Sequence, residues 1–376
     1  MSLDALTWIV CGAVVSLCVQ LLISWLRRLV FADIADRETG ELRRQAAPPA
    51  YDNTQDYIPG SYEIDAAASK ALRNERGFFT LRDGRNIFYQ SWLPTEEVDA
   101  VLVHIHGYGD ECDFTTALMA KTLCSIGRFG AVAFDLPGFG RSDGLFAYIP
   151  DWFELVDSVR EVLVEHIKPL VETWPQRRVP RLKWFAIGES MGGGLVFSML
   201  VREKELFDAT VLICPMIFVG KDMYPPWIVL QLFRKLVDVL PLWPLTPKAD
   251  VSSTQFSDPE MTKFFKSGPS RHSRINQKGK LRLATANTLG FIAGDWMKSK
   301  IPEFDTPCLI VHGEADKVTD PAISKALFEG MSATDKRLEL SASVWHGDVF
   351  FGGPKHYDGC RERFRIVARW IEERSR

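Results

Sequence analysis

The sequence predicts an α/β fold: a mostly parallel central sheet covered by helices on both faces, interrupted by an inserted helical cap and preceded by a transmembrane helix. Three observations carry this. Short continuous Val/Ile/Leu runs alternate with helical segments, the pattern of strands buried on both faces. The alternation breaks once, between Pro215 and about Pro302. The N-terminus holds a long run without charge.

That run, Leu6 to Leu26, contains 21 residues. As a helix it spans about 31 Å, close to a bilayer core of about 30 Å. A cleaved signal peptide fits poorly, because Asp4 precedes the run, no Lys or Arg does, and no small-x-small cleavage site closes it. Arg27 and Arg28 follow at once, which by the positive-inside rule places the C-terminal bulk in the cytoplasm. Residues 1–30 are therefore expected to anchor the chain and residues 31–76, mixed and polar with Pro48-Pro49, to tether it.

The folded part is expected to begin near Gly77. Phe78 to Leu81 and Asn86 to Trp92 read as two strands about an Asp83-Gly84 turn. Val101–His106, Gly130–Asp135, Leu182–Ile187, Ala209–Cys214, Cys308–His312 and Arg337–Leu340 are the further strands. Residues 77–214 and 303–376 form the core and 215–302 the cap. In the cap, Trp227 to Leu240 is apolar except for Gln231, Arg234, Lys235 and Asp238, at helical spacing. It reads either as a helix packed over the core or as an acyl-chain wall or lipid-facing lid, with Trp227, Leu230 and Phe233 as candidate substrate contacts.

Composition narrows the function. The formal net charge of −3 gives no support for a nucleic-acid binder. The seven cysteines show no Cys-x-x-Cys pair and no His pair at zinc spacing, so buried free thiols in a reducing compartment are expected.

Two segments match Gly-x-Ser-x-Gly, a strained strand-to-helix turn that presents a serine hydroxyl. Gly188-Glu189-Ser190-Met191-Gly192 follows the apolar run Trp184–Ile187 and opens a helical run from Gly193 to Leu200. Gly140-Arg141-Ser142-Asp143-Gly144 follows a Pro-Gly-Phe-Gly loop and opens no clear helix, so Ser142 reads as a turn residue. A serine hydroxyl needs a base, itself oriented by an acid. In the chain order that goes with this turn, the acid and then the histidine follow the serine. His104, His106 and His166 precede Ser190, His272 falls in the cap, and His312 ends its own strand ahead of the acid loop. His346, after the last strand run, is the expected base, with His356 the rival. Asp316 is the expected acid, with Glu314 and Asp320 as alternatives. The N–H of Met191 and, from the Gly-rich loop His106–Asp110, that of Tyr108 are the expected oxyanion donors.

With these residues in view, the chain resembles the α/β-hydrolase superfamily, and within it the monoacylglycerol lipase and lysophospholipase group. The resemblance rests on His106-Gly107-Tyr108-Gly109, Asp135 to Ser142, Gly188 to Gly193, Thr306-Pro307 through Asp316, and the spacing from Asp316 to His346; it covers about residues 77–372. It implies a serine hydrolase of lipid esters that needs no metal or organic cofactor, and the N-terminal run adds the expectation of a membrane anchor. Acyl transfer, a non-lipid esterase or peptidase, and a non-catalytic ligand receptor stay open. Two features depart from the group: Glu189 stands where the turn often has histidine, and the N-terminal run lies outside the shared region.

Overall fold

A computed structural model of the chain describes residues 72–175, 181–218, 226–243, 252–267 and 281–376, with residues 14, 16–18, 20 and 21 near the N-terminus. Eight strands form one sheet in the order β1-β2-β4-β3-β5-β6-β7-β8. β1 (Leu72–Thr80) and β2 (Asn86–Pro94) are the antiparallel hairpin, and β2 also runs antiparallel to β4. β3 (Ala100–Ile105), β4 (Phe129–Phe134), β5 (Lys183–Glu189), β6 (Ala209–Ile213), β7 (Cys308–Gly313) and β8 (Lys336–Ser341) run parallel to one another. β1 begins five residues before the expected boundary: Leu72 to Arg76, read as tether, pair with Pro94 to Gln90. These five residues carry three charges, which hid a strand that the ladder and the β2 partner hold in place.

The parallel strands are buried from end to end where the sequence reads as continuous apolar runs. Their alternation sorts side chains to two faces. Val101, Val103 and Ile105 join one core cluster, while Ala100 and Leu102 join the other. α1 (Phe114–Ile126) and the C-terminal helix, labelled below, pack with the second cluster. α2 (Trp152–Glu161), capped by Asp151 through the N–H groups of Phe153 and Glu154, and α3 (Met191–Arg202) pack with the first. Trp152 Nε1 donates to Ser198 Oγ at 3.0 Å and joins α2 to α3.

The insertion supplies α4 (Trp227–Val239), α5 (Pro259–Ser267) and a helical stretch from Leu283 to Lys300. α6 (Pro321–Gly330) lies between β7 and β8, and α7 (Tyr357–Ser375) closes the chain. α4 has no buried residue. Its apolar side chains face out: Trp227, Ile228 and Leu232 are 72%, 64% and 66% exposed. The helix is therefore covered only in part, at residues such as Leu230 and Phe233, and most of its apolar surface stays open.

Among the described residues no helix is long and apolar enough to cross a membrane. Most of the expected anchor, residues 1–30, and almost all of the tether lie outside the described residues. The five described cysteines of the core are free and buried.

Candidate active site

Each chemistry-bearing residue leaves the C-terminal end of a parallel strand, and the strand order β5-β6-β7-β8 gathers Ser190, Cys214, Asp316 and His346 along one edge. Ser190 sits between β5 and α3 at φ 52°, ψ −116°, a conformation costly for a residue with a side chain. The turn is held by Ser190 N–H to Ile213 O at 2.9 Å and by three donors to Ser190 O, Met216 N–H at 2.9 Å, Gly193 N–H at 3.0 Å and Gly194 N–H at 3.3 Å. Gly192 is required there: a Cβ on it would lie 2.0 Å from Ile105 O. Ser142 is different. It is buried, its hydroxyl donates to Asp135 O at 2.7 Å and accepts Phe88 N–H at 3.0 Å.

Asp316 Oδ2 lies 2.6 Å from His346 Nδ1. The same oxygen is 3.1 Å from His312 Nε2 and accepts Thr319 Oγ1–H at 2.9 Å. Oδ1 accepts the N–H groups of Val318 at 2.7 Å and Thr319 at 3.0 Å. Burial opposes ionisation of Asp316, but the hydrogen bonds from His312 and His346, the field of His346 and the Val318 N–H hold its carboxyl well below the usual carboxylate range. An ionised Asp316 accepts the Nδ1 proton of His346, which leaves Nε2 of that ring as a proton acceptor.

The other candidates are engaged elsewhere. Glu314 pairs with Lys325 at 3.6 Å. Asp320 caps α6 through Ala322 N–H. His356 Nε2 is 2.9 Å from Ser257 Oγ. His272 lies outside the described residues.

The loop after β3 packs against the Ser190 turn: a Cβ on Gly107 would come within 3.2 Å of Ser190 Cβ. His106 fixes that loop. Leu136 N–H donates to its Nε2 at 3.0 Å, so Nδ1 carries the proton and donates to Gly107 O at 2.8 Å. Asp135 takes the N–H groups of Cys112 and Arg141, and the Arg141 guanidinium pairs with Asp113. The Tyr108 ring is turned away, its hydroxyl on Ala147 O at 3.0 Å. Met191 is the first residue of α3, where N–H groups have no acceptor within the helix.

Of the expected substrate contacts, Phe233 packs edge-on against Phe291 at 6.1 Å and Leu230 is partly buried. Trp227 points to solvent.

Three features were invisible in the sequence. The first is the second imidazole, His312, on the acid; Thr319 and Ser324 hold it. The second is the pair Glu189 and His104, whose nearest atoms are 4.0 Å apart. Burial pushes Glu189 up to about 7, with Asp110 adding and His346 opposing; burial, and His106 beside it, push His104 down to about 3. The third is the contact of the insertion with the His346 loop, where Gly347 N–H donates to Gln255 O. Cys214, His312 and Asp316 lie within 4.8 Å of one another by their donor atoms. His312 Nε2 also faces Thr319 O at 3.1 Å, an acceptor only, so that nitrogen carries a proton and is not a ligand in this arrangement.

The sheet and the serine turn define an α/β hydrolase. The chain belongs to the family described as serine aminopeptidase, S33, whose profile matches residues 96–350, and it is a carboxylic ester hydrolase. It is 28% identical over 316 residues to caffeoylshikimate esterase of Arabidopsis thaliana, covering 83% of this chain and 89% of that one. It is 28% identical over 286 residues to monoacylglycerol lipase of Mycolicibacterium smegmatis, covering 74% and 92%. Human monoglyceride lipase is 26% identical over 264 residues, covering 70% and 80%. A soluble variant of the Saccharomyces cerevisiae monoglyceride lipase, solved with a substrate analog, superposes with TM-score 0.60 at 20% identity, covering 87% and 99%, and shares the fold.

Proposed function

We propose that this chain hydrolyses carboxylic esters of lipids, with monoacylglycerols or lysophospholipids as the substrate class, through an acyl-enzyme on Ser190. The 2.6 Å contact of His346 Nδ1 with a buried, ionised Asp316 carries the reading. Ser190 attacks the ester carbonyl. His346 Nε2 takes the hydroxyl proton and gives it to the leaving alcohol, and Asp316 stabilises the imidazolium. The N–H groups of Met191 and Tyr108 receive the oxyanion. Water, activated by the same imidazole, then releases the fatty acid.

The exposed apolar side of α4 supports a lipid substrate, because an apolar surface of this kind gains by contact with acyl chains or a bilayer. The similarity to monoacylglycerol lipases points the same way. The similarity to caffeoylshikimate esterase favours a second reading, an ester of a non-lipid alcohol. Purified enzyme against a panel of lipid and aromatic esters, with products identified by mass spectrometry, separates the two. Turnover confined to aromatic esters would overturn the lipid reading.

The domain plan belongs to the same reading. Residues 1–30 anchor the chain, the hydrolase core faces the cytoplasm, and residues 215–302 form the cap. Deleting residues 1–30 should shift the protein from membranes to the soluble fraction while a soluble short-chain ester is still cleaved.

A further inference from the structure

The loop that follows His346 is gripped from two sides. On one side is the C-terminal helix. Arg363, buried on α7, donates to the carbonyls of Val349 and Asp348, the latter at 3.2 Å. On the other side is the insertion, although it lies about 90 residues earlier in the chain. Gly347 N–H donates to Gln255 O at 2.8 Å. Asp348 Oδ2 accepts Ser257 N–H at 3.0 Å, and Ser257 Oγ meets His356 Nε2 at 2.9 Å. The Phe256 ring is buried directly over Gly347, where a Cβ would lie 2.3 Å from it.

Asp348 is itself wholly buried. Burying a carboxylate is costly unless hydrogen bonds offset it, and here only Oδ2 is hydrogen-bonded. Its partners are Ser257 N–H and, at 3.5 Å, His356 Nε2, one from the insertion and one from the start of α7. Each contact therefore runs between the insertion, the base loop and the final helix.

We propose that Asp348, with the Gln255–Ser257 segment, is a positioning element for His346, and couples the placement of the insertion to the reactivity of Ser190. The proposal rests on the reading of His346 as the base. Asp348 does not touch the reacting atoms; it sets where the imidazole stands. Movement of the insertion by a few tenths of an ångström would be transmitted to the imidazole through the Gly347 and Asp348 hydrogen bonds, since such packed interfaces do not deform smoothly.

The test uses the full-length chain with p-nitrophenyl butyrate, a fluorophosphonate labelling rate, thermal midpoints and the low-field proton resonance of the His346–Asp316 hydrogen bond. Asp348→Ala should lower kcat about tenfold or more with KM changed less than about twofold, and should broaden or shift the low-field resonance. Asp348→Asn keeps an acceptor for Ser257 N–H and should recover kcat to within about threefold of the parent. Phe256→Ala, made in the insertion, should reproduce the kcat loss and also serves if Asp348→Ala does not fold. A folded Asp348→Ala or Phe256→Ala with parental kcat and resonance overturns the proposal. So does an Asp348→Asn variant as slow as Asp348→Ala with the resonance unmoved. His346→Ala, in parallel, must be inactive and unlabelled; if it is active, the base assignment fails rather than the coupling.

Discussion

His312 and His346, 34 residues apart, direct one ring nitrogen each at the same oxygen of Asp316, at 3.1 and 2.6 Å. The two rings are held differently. His312 has its other nitrogen on the Ser324 hydroxyl at 2.7 Å, so both of its nitrogens are occupied and the ring is fixed. His346 has only Nδ1 tied to the acid and to Thr319 Oγ1 at 3.2 Å. One imidazole is thus engaged at both nitrogens, and the other meets the acid through Nδ1.

The serine assignment is tested by Ser190→Ala and His346→Ala. Each should reduce kcat by several orders of magnitude, since such residues act as a unit. Ser142→Ala should remain active but less stable by about 1–2 kcal/mol, because the Phe88 N–H loses its buried acceptor. Steady-state kinetics and chemical denaturation measure both. An inactive, folded Ser142→Ala beside an active Ser190→Ala would reverse the assignment.

The Ser190 turn should not accept a side chain at residue 192. With a Cβ placed 2.0 Å from Ile105 O, Gly192→Ala must move β3 or α3. We expect a loss of about 3 kcal/mol or more in stability, or an insoluble product. A soluble Gly192→Ala with a parental midpoint and full activity would refute this packing.

Glu189 gives a pH dependence whose sign is fixed. Burial raises its folded pKa from 4.5 to about 7. Between those values the folded chain binds more protons than the unfolded chain, so stability falls as pH rises from about 4.5 through about 7 and then levels off. The contribution is at most about 1.4 kcal/mol per pH unit. Glu189→Gln should remove this part of the slope. Denaturation midpoints of parent and variant across pH 5 to 8 decide it, and parallel curves would show that Glu189 is not held neutral.

The uncovered side of α4 should serve long acyl chains and not the chemistry. Leu232→Asp and Trp227→Asp, both at exposed positions, should leave stability within about 0.5 kcal/mol. They should slow turnover of a long-chain ester in vesicles severalfold and a soluble butyrate ester hardly at all. Equal losses on both substrates would remove the lipid-facing role of this helix.

How much was legible follows from the range of each interaction. The strand runs from Val101 to His312 appear in the sequence because a doubly covered strand needs only local apolar continuity. Leu72 to Arg76 did not, since a charged edge strand carries no such signal and depends on β2 for its ladder. The serine turn was readable because glycine spacing reports a short-range steric demand. Ser142 shares that spacing, and only the flanking strand and helix set it apart.

The sequence by itself determined where most of the strand runs lie along the chain, the serine turn and the chemical identities that leave each strand end. These depend on periodicity and on contacts within a few residues. Only the tertiary structure decided that His312 shares the acid, that Glu189 faces a buried His104 without a hydrogen bond, that α4 keeps its apolar side uncovered, and that Gln255 to Ser257 grip the His346 loop. Each of these joins a residue to an environment built by distant chain, and one sequence carries no local trace of which distant segment will supply it.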